Sequence, residues 1–159
     1  METLQISKEN AVKAFEATNA KGKKLLSNLF GKNVFIKNIR ERIQTIQDIF
    51  ELNNTTEEAF NEKWNGFELH EKANAFEILI VAAYCGGGMP DFTDDTRKYY
   101  PRFVMGSPSG VGFSYDVFVY WYSFSYVGAR LVFHGPEAYE NMIDAVEKFL
   151  PQYQQSRTT

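Results

Sequence analysis

The chain holds one cysteine, Cys85, so no disulfide can close within it. Its only histidines, His70 and His134, are too few beside one thiol for a histidine-based zinc site. The longest apolar run, Ile78 to Cys85, is far shorter than the ~20 residues that cross a bilayer. METLQISKEN has neither a basic start nor an apolar stretch, so no signal peptide is expected. GSPSGVG at 106–112 is glycine-rich but lacks the Lys-Ser/Thr ending of a phosphate loop, and no serine sits in a nucleophile elbow. These absences predict a cytoplasmic protein with no membrane partner, no cofactor and no nameable catalytic constellation.

What is present is a globular composition. With 159 residues, 44% of them hydrophobic and 23% charged, the chain can bury a sizeable core, and a single domain over 1–159 is expected. The net charge of −3 is unevenly spread: residues 1–46 hold nine Lys/Arg against four acids, and 47–96 hold two against eleven. Lys21, Lys23, Lys24 and Lys32 concentrate the positive end. They form either a solvated face, attracted to the acidic segment, or a face for nucleic acid.

Helical signals fill residues 1–85. Ser7 is a candidate N-cap, Gly22 weakens the first apolar stripe, and Gly31 can stop it, which predicts two short helices or one kinked one. Thr45-Ile-Gln-Asp48 resembles a capping box, and a short helix is expected from Thr55 or Thr56 with Trp64 as an anchor. Leu69, Ala73, Phe76, Ile80 and Ala83 then mark one face of a central helix that CGGG at 85–88 ends.

The pattern changes after Lys98. Phe103 to Met105, Val111 to Trp121 and Val127 to Phe133 are rich in β-branched and aromatic residues, with turn-like GSPSG and SFSY between them. A helix stripe from Tyr139 to Leu150 follows Gly135-Pro136, and Pro151 is expected to stop it. The fold class is therefore α+β: N-terminal helices, a three-stranded antiparallel β-meander, and a C-terminal covering helix, the last two spanning 98–152.

Nine aromatic rings fall between Phe113 and Phe133. Alternation along a strand sorts Tyr115, Val117, Val119, Trp121, Leu131 and Phe133 onto a core face. The opposite face receives Tyr100, Arg102, Asp116, Phe118, Tyr120, Tyr122, Arg130 and Val132, unless a bulge shifts the register. The N-terminal helices could cover that outer face, or it could bind a partner, with Tyr100, Arg102, Tyr120, Tyr122 and Arg130 as the contact residues. Such a partner would be a protein, a nucleic acid stacked on the rings, or a second copy of the chain.

Asp91, Asp94 and Asp95 follow three glycines and offer several oxygens, which suits a hard divalent cation, although the spacing is not that of an EF-hand. Turn acids or helix caps are the plainer account. Cys85 with a histidine could in principle form a nucleophilic pair, but its place at the end of an apolar helix suits a small core residue.

Three segments carry a resemblance: Pro90-Asp91-Phe92, then Lys98 to Phe103 as Lys-Tyr-Tyr-Pro-x-Phe, then Ser125 to Leu131 as Ser-x-Val-Gly-x-Arg-Leu, with weaker likeness over 20–32. In these the chain resembles a family of small uncharacterised proteins of Bacteroides-group gut bacteria and their phages and mobile elements. Relatives often carry Trp where this chain has Phe92. The resemblance implies a setting and no activity. The leading expectation is an accessory protein that binds a macromolecule through the outer sheet face or the basic helices. The alternative is a small metal-dependent hydrolase or nuclease using Asp91, Asp94 or Asp95.

Overall fold

Short polar side chains set the first helix boundaries, since the leading amides of a helix have no partner within it. Ser7 accepts from the Asn10 amide and opens α1, Lys8–Ala17. Asn19 does the same for the Gly22 amide and opens α2, Ala20–Phe30. The break thus falls at Thr18 and Asn19, ahead of Gly22, and Gly31 ends α2 at a φ of 81°. The computed structural model describes residues 6–106, 112–122 and 128–158, with the side chains of Lys8, Lys32, Asn33 and Ala129 outside that description.

The chain divides into two compact units, Met1–Arg42 and Ile43–Thr159. The first contains α1, α2, a 3-10 turn at Lys32–Phe35 and the single turn α3, Ile39–Arg42. Rings hold it together: Phe15 stacks on Phe35 at 4.1 Å and Phe30 meets Phe35 edge-on. Lys37 pairs with Glu16 at 2.5 Å.

The second unit begins with α4, Ile46–Leu52, α5, Glu57–Lys63, and the long α6, Leu69–Tyr84. Thr45 and Asp48 form the expected reciprocal capping box, and Thr56 caps α5. Phe50, Phe60 and Phe76 meet at 5.3–5.8 Å and join these three helices. Ala73, Phe76, Ile80 and Ala83 are buried as their spacing predicts, whereas Leu69, at the start of the same stripe, is exposed. Gly86 and Gly87 at φ 68° and 79° turn the chain away from α6, a conformation that costs glycine nothing.

Two antiparallel strands follow, β1, Lys98–Val104, and β2, Ser114–Trp121, so the fold is α+β. The three-stranded meander is not what the described residues form. Residues 107–111 and 123–127, which hold both expected turns apart from Gly106, lie outside the description. Beyond them the expected third strand is a 3-10 turn, Ala129–Leu131, after Gly128 at φ 88°. That turn directs its backbone donors along the chain, and of the described residues in this segment only Phe133 bridges to the sheet, exchanging both backbone hydrogen bonds with Tyr99 at 2.9 and 2.7 Å. Tyr99 spends its amide and carbonyl there, so Phe133 lies on the β1 edge remote from β2. A meander would have paired it with β2.

The last helix, α7, runs Ala138–Gln155. Pro151 does not stop it. Proline removes one helical hydrogen bond and crowds the carbonyl four residues back, and the backbone yields at Phe149, φ −122° and ψ 24°, so that a kink absorbs the conflict. Met142, Ala145, Val146, Phe149 and Tyr153 are buried along its inner face. Two polar clusters tie α7 to α6. Tyr84 donates to Asp144 at 2.5 Å, and Lys148 bonds both Asp144 and the Ile43 carbonyl, at 2.9 and 2.7 Å. At the other end Arg157 and Ser156 hold the buried carboxylate of Glu77.

Candidate binding site on the sheet

Pairing decides which rings share a face. Tyr99 stands opposite Tyr120, Pro101 opposite Phe118, Tyr100 opposite Val119, and Lys98 opposite Trp121. Tyr100 and Arg102 therefore lie with Trp121, on the side away from Tyr120, which corrects the expected outer face by one residue. Tyr100 packs on Trp121 at 4.4 Å between ring centres. The register then slips between Arg102 and Phe103, leaving Asp116 unpaired in a bulge, and there Asp116 takes two hydrogen bonds from Arg102, at 2.9 and 2.6 Å. Arg102 is thus an exposed ion-paired residue apart from the tyrosines.

Arg130 is also displaced from them. It is exposed in the 3-10 turn, where it lines hollows with Ile78 of α6. Its neighbour Val132, expected on the outer face, is fully buried, as is Phe133. Two successive buried side chains are ordinary where the chain is not a strand.

Of the five residues expected to bind a partner, the fold keeps Tyr120 and Tyr122 together and adds others to them. Tyr120 contacts Tyr99 at 5.9 Å, Phe118 at 6.3 Å and Tyr122 at 6.0 Å, and Tyr139 of α7 contacts Phe118 at 4.8 Å and Tyr99 at 5.7 Å. Tyr120, Tyr122 and Tyr139 are each about two-fifths exposed, at 41%, 40% and 39%. The Arg97 guanidinium lies 4.5 Å over the Tyr120 ring and donates from Nε to the Tyr122 hydroxyl at 3.2 Å. That hydrogen bond, and next one to Tyr99, push the Arg97 pKa up. Beside these rings an open cleft of about 560 Å³ runs between the sheet and the start of α7, lined by Arg97, Tyr99, Phe118, Tyr139 and Glu140.

So α7 packs on the face expected to be outer, and its Tyr139 extends the aromatic row instead of entering the core. Tyr99, Arg97 and Tyr139 were missed by sequence reasoning. The Tyr99-Tyr100 doublet was the available signal, but only the pairing register says which of the two joins Tyr120.

The remaining candidates are engaged elsewhere. Asp91 accepts from the Thr93 amide and hydroxyl, at 2.7 and 2.6 Å, and Asp94 accepts from the Thr96 amide and hydroxyl, at 3.2 and 2.7 Å. The Thr93 hydroxyl holds the Asp91 carboxyl below its usual range, and Lys98, buried above Phe92, does the same for Asp94. Asp95 is exposed. Among the described residues no three His, Cys, Asp or Glu side chains gather as a metal site would require. Cys85 and His134 do meet, but through the backbone: the His134 amide donates to Sγ at 3.4 Å, while the imidazole lies 3.0 Å from the Gly88 carbonyl. Burial pushes the Cys85 thiol up to about 11, the reverse of what a nucleophile needs. Lys21, Lys23 and Lys24 are exposed on α2 beside exposed Leu25 and Leu29, with Lys23 over the Phe15 ring, and the Lys32 side chain lies outside the description.

The chain matches no family model, no curated protein and no solved structure. Among the described residues no helix is long and apolar enough to cross a membrane.

Proposed function

We propose that the protein is a non-catalytic binding module that captures an extended, proline-rich segment of a partner protein on the Tyr99–Tyr120–Tyr139 face. The observation that carries this reading is the unbroken row of partly exposed rings beside an open cleft. Tyrosine rings give flat apolar surface at little entropic cost, and their hydroxyls can donate to the carbonyls of a chain that has no hydrogen bonds of its own in the polyproline conformation. Charge argues against a nucleic acid here. A phosphate backbone needs several cations along its path, whereas among the described residues this cleft offers Arg97 alone, set against Glu140. The exposed lysines of α2 support a second, weaker mode, electrostatic binding of single strands away from the sheet. The metal-dependent alternative finds less support, because Asp91 and Asp94 close their own turns.

Fluorescence anisotropy with labelled decaproline and labelled oligothymidylate tests the reading. Decaproline is expected to bind, and Tyr120→Ala or Tyr139→Ala to weaken it at least about tenfold, or ~1.4 kcal/mol. Oligothymidylate is expected to bind only at low salt, with a slope that flattens in the Lys23→Gln, Lys24→Gln variant. Decaproline binding that ignores both tyrosine substitutions, or no binding at all, overturns the proposal. Sedimentation at several concentrations shows whether a second copy takes the face instead.

A further inference from the structure

A second cleft, away from the tyrosine row, opens between α5, α6 and the turn that holds Arg130, with a volume of about 410 Å³. Phe60, Ile78 and Leu79 give it apolar walls with Trp64 beside them, Asn53 and Thr55 add polar groups, and among the described residues its charged lining groups are Lys63 and Arg130. That charge pattern is unexpected locally. Acids outnumber Lys/Arg eleven to two over residues 47–96, yet among the described residues no acid lines this cleft and one of the two cations does. Neither cation is held by a carboxylate among the described residues: Arg130 is exposed, and Lys63 lies 5.9 Å over the Trp64 ring. The rim is also fixed in advance. The Asn53 amide donates to the Ile49 carbonyl at 2.8 Å and to the Leu79 carbonyl at 3.0 Å, tying the end of α4 to α6.

We infer that this cleft binds an amphipathic carboxylate, with its apolar body against Phe60, Trp64 and Leu79 and its anionic head at Arg130 and Lys63. The volume falls within the ~300–1,000 Å³ of small-molecule sites, whose linings are mostly apolar with a few polar groups that fix orientation. Arginine's planar fork suits a carboxylate in a two-pronged contact, and a charge-assisted bond of that kind is about twice as strong as a neutral one. A rim held before binding lowers the entropy lost when the ligand enters. A neutral alcohol of the same length would gain the apolar contact and lose the head-group contact, so the two sources of affinity can be separated.

Decanoate, decanol and decyltrimethylammonium serve as probes, followed by tryptophan fluorescence and calorimetry below their micellar concentrations. Decanoate is expected to change the Trp64 emission and to bind at least about tenfold more tightly than decanol, with decyltrimethylammonium weaker still. Arg130→Gln should remove most of that tenfold advantage and leave decanol unaffected, and Lys63→Gln should do so in part. Both residues are exposed, so the variants are expected to fold, which their melting curves check. Trp64→Phe should abolish the fluorescence change while calorimetry still records binding. Equal affinity for decanoate and decanol, an unchanged decanoate affinity in Arg130→Gln, or no binding at millimolar decanoate would each overturn the inference.

Discussion

Trp121 and Tyr120 are neighbours in β2 with opposite fates, since Trp121 is 5% exposed and Tyr120 41%. Truncating a buried aromatic costs about 3–5 kcal/mol, so Trp121→Ala should leave little of a domain's typical ~5–15 kcal/mol. Tyr120→Ala loses partial burial and ring contacts worth ~0.5–1.5 kcal/mol, so about 1 kcal/mol is expected. Urea unfolding of the two variants reads the difference directly, and equal losses would mean that both sides of β2 are core. Alternation along the strand made the burial of Trp121 legible. It held at Phe133 and failed at its neighbour Val132, expected on the outer face yet fully buried, because among the described residues that segment touches the sheet through one residue and alternation applies only to a continuous strand.

At the scale of elements, signals contained in a few neighbouring residues were legible: the Thr45–Asp48 box, Gly31 ending α2, and the glycines after α6. What depends on two distant segments was not. The pairing of Tyr99 with Tyr120, and so the composition of the aromatic face, follows from a register that no single strand encodes. The continuation of α7 past Pro151 rests likewise on contacts far along the chain, where Ser156 and Arg157 reach Glu77 in the middle of α6. Desolvation raises the pKa of Glu77 above its ordinary value near 4.5, with Arg157 and Ser156 pulling the other way. The folded state then holds this proton more tightly than the unfolded state. The stabilisation is complete below the ordinary value and is lost as pH rises through the raised one. Glu77→Gln imitates the protonated form and has no such dependence. The melting temperature of the parent minus that of the variant is therefore expected to fall between pH 4 and pH 8. A rise over that interval would show that Arg157, and not burial, dominates the site.

For the whole molecule, the division at Arg42 has a consequence for stability. Ile43 is fully buried and its carbonyl accepts from Lys148 of α7, so the second unit needs its first residue. Residues 43–159 alone should unfold cooperatively in urea, whereas a chain starting at Gln44 should lose about 1.5–3 kcal/mol with the isoleucine side chain. If the 43–159 chain shows no transition, the two units do not separate energetically. The bulge at Asp116 acts on a larger scale, where copies of the chain meet. Among the described residues no strand pairs the far edge of β2, and Val117 to Tyr122 form six uncharged residues with high β propensity. An uncharged, flat edge of that kind invites a neighbouring molecule to add a strand, the first step toward a fibril. The extra residue twists the edge out of line, and its carboxylate puts a charge at the start of the run. How concentrated this protein can become before it begins to precipitate is therefore expected to depend on one aspartate whose backbone has no partner in β1 and whose carboxylate is held there by Arg102.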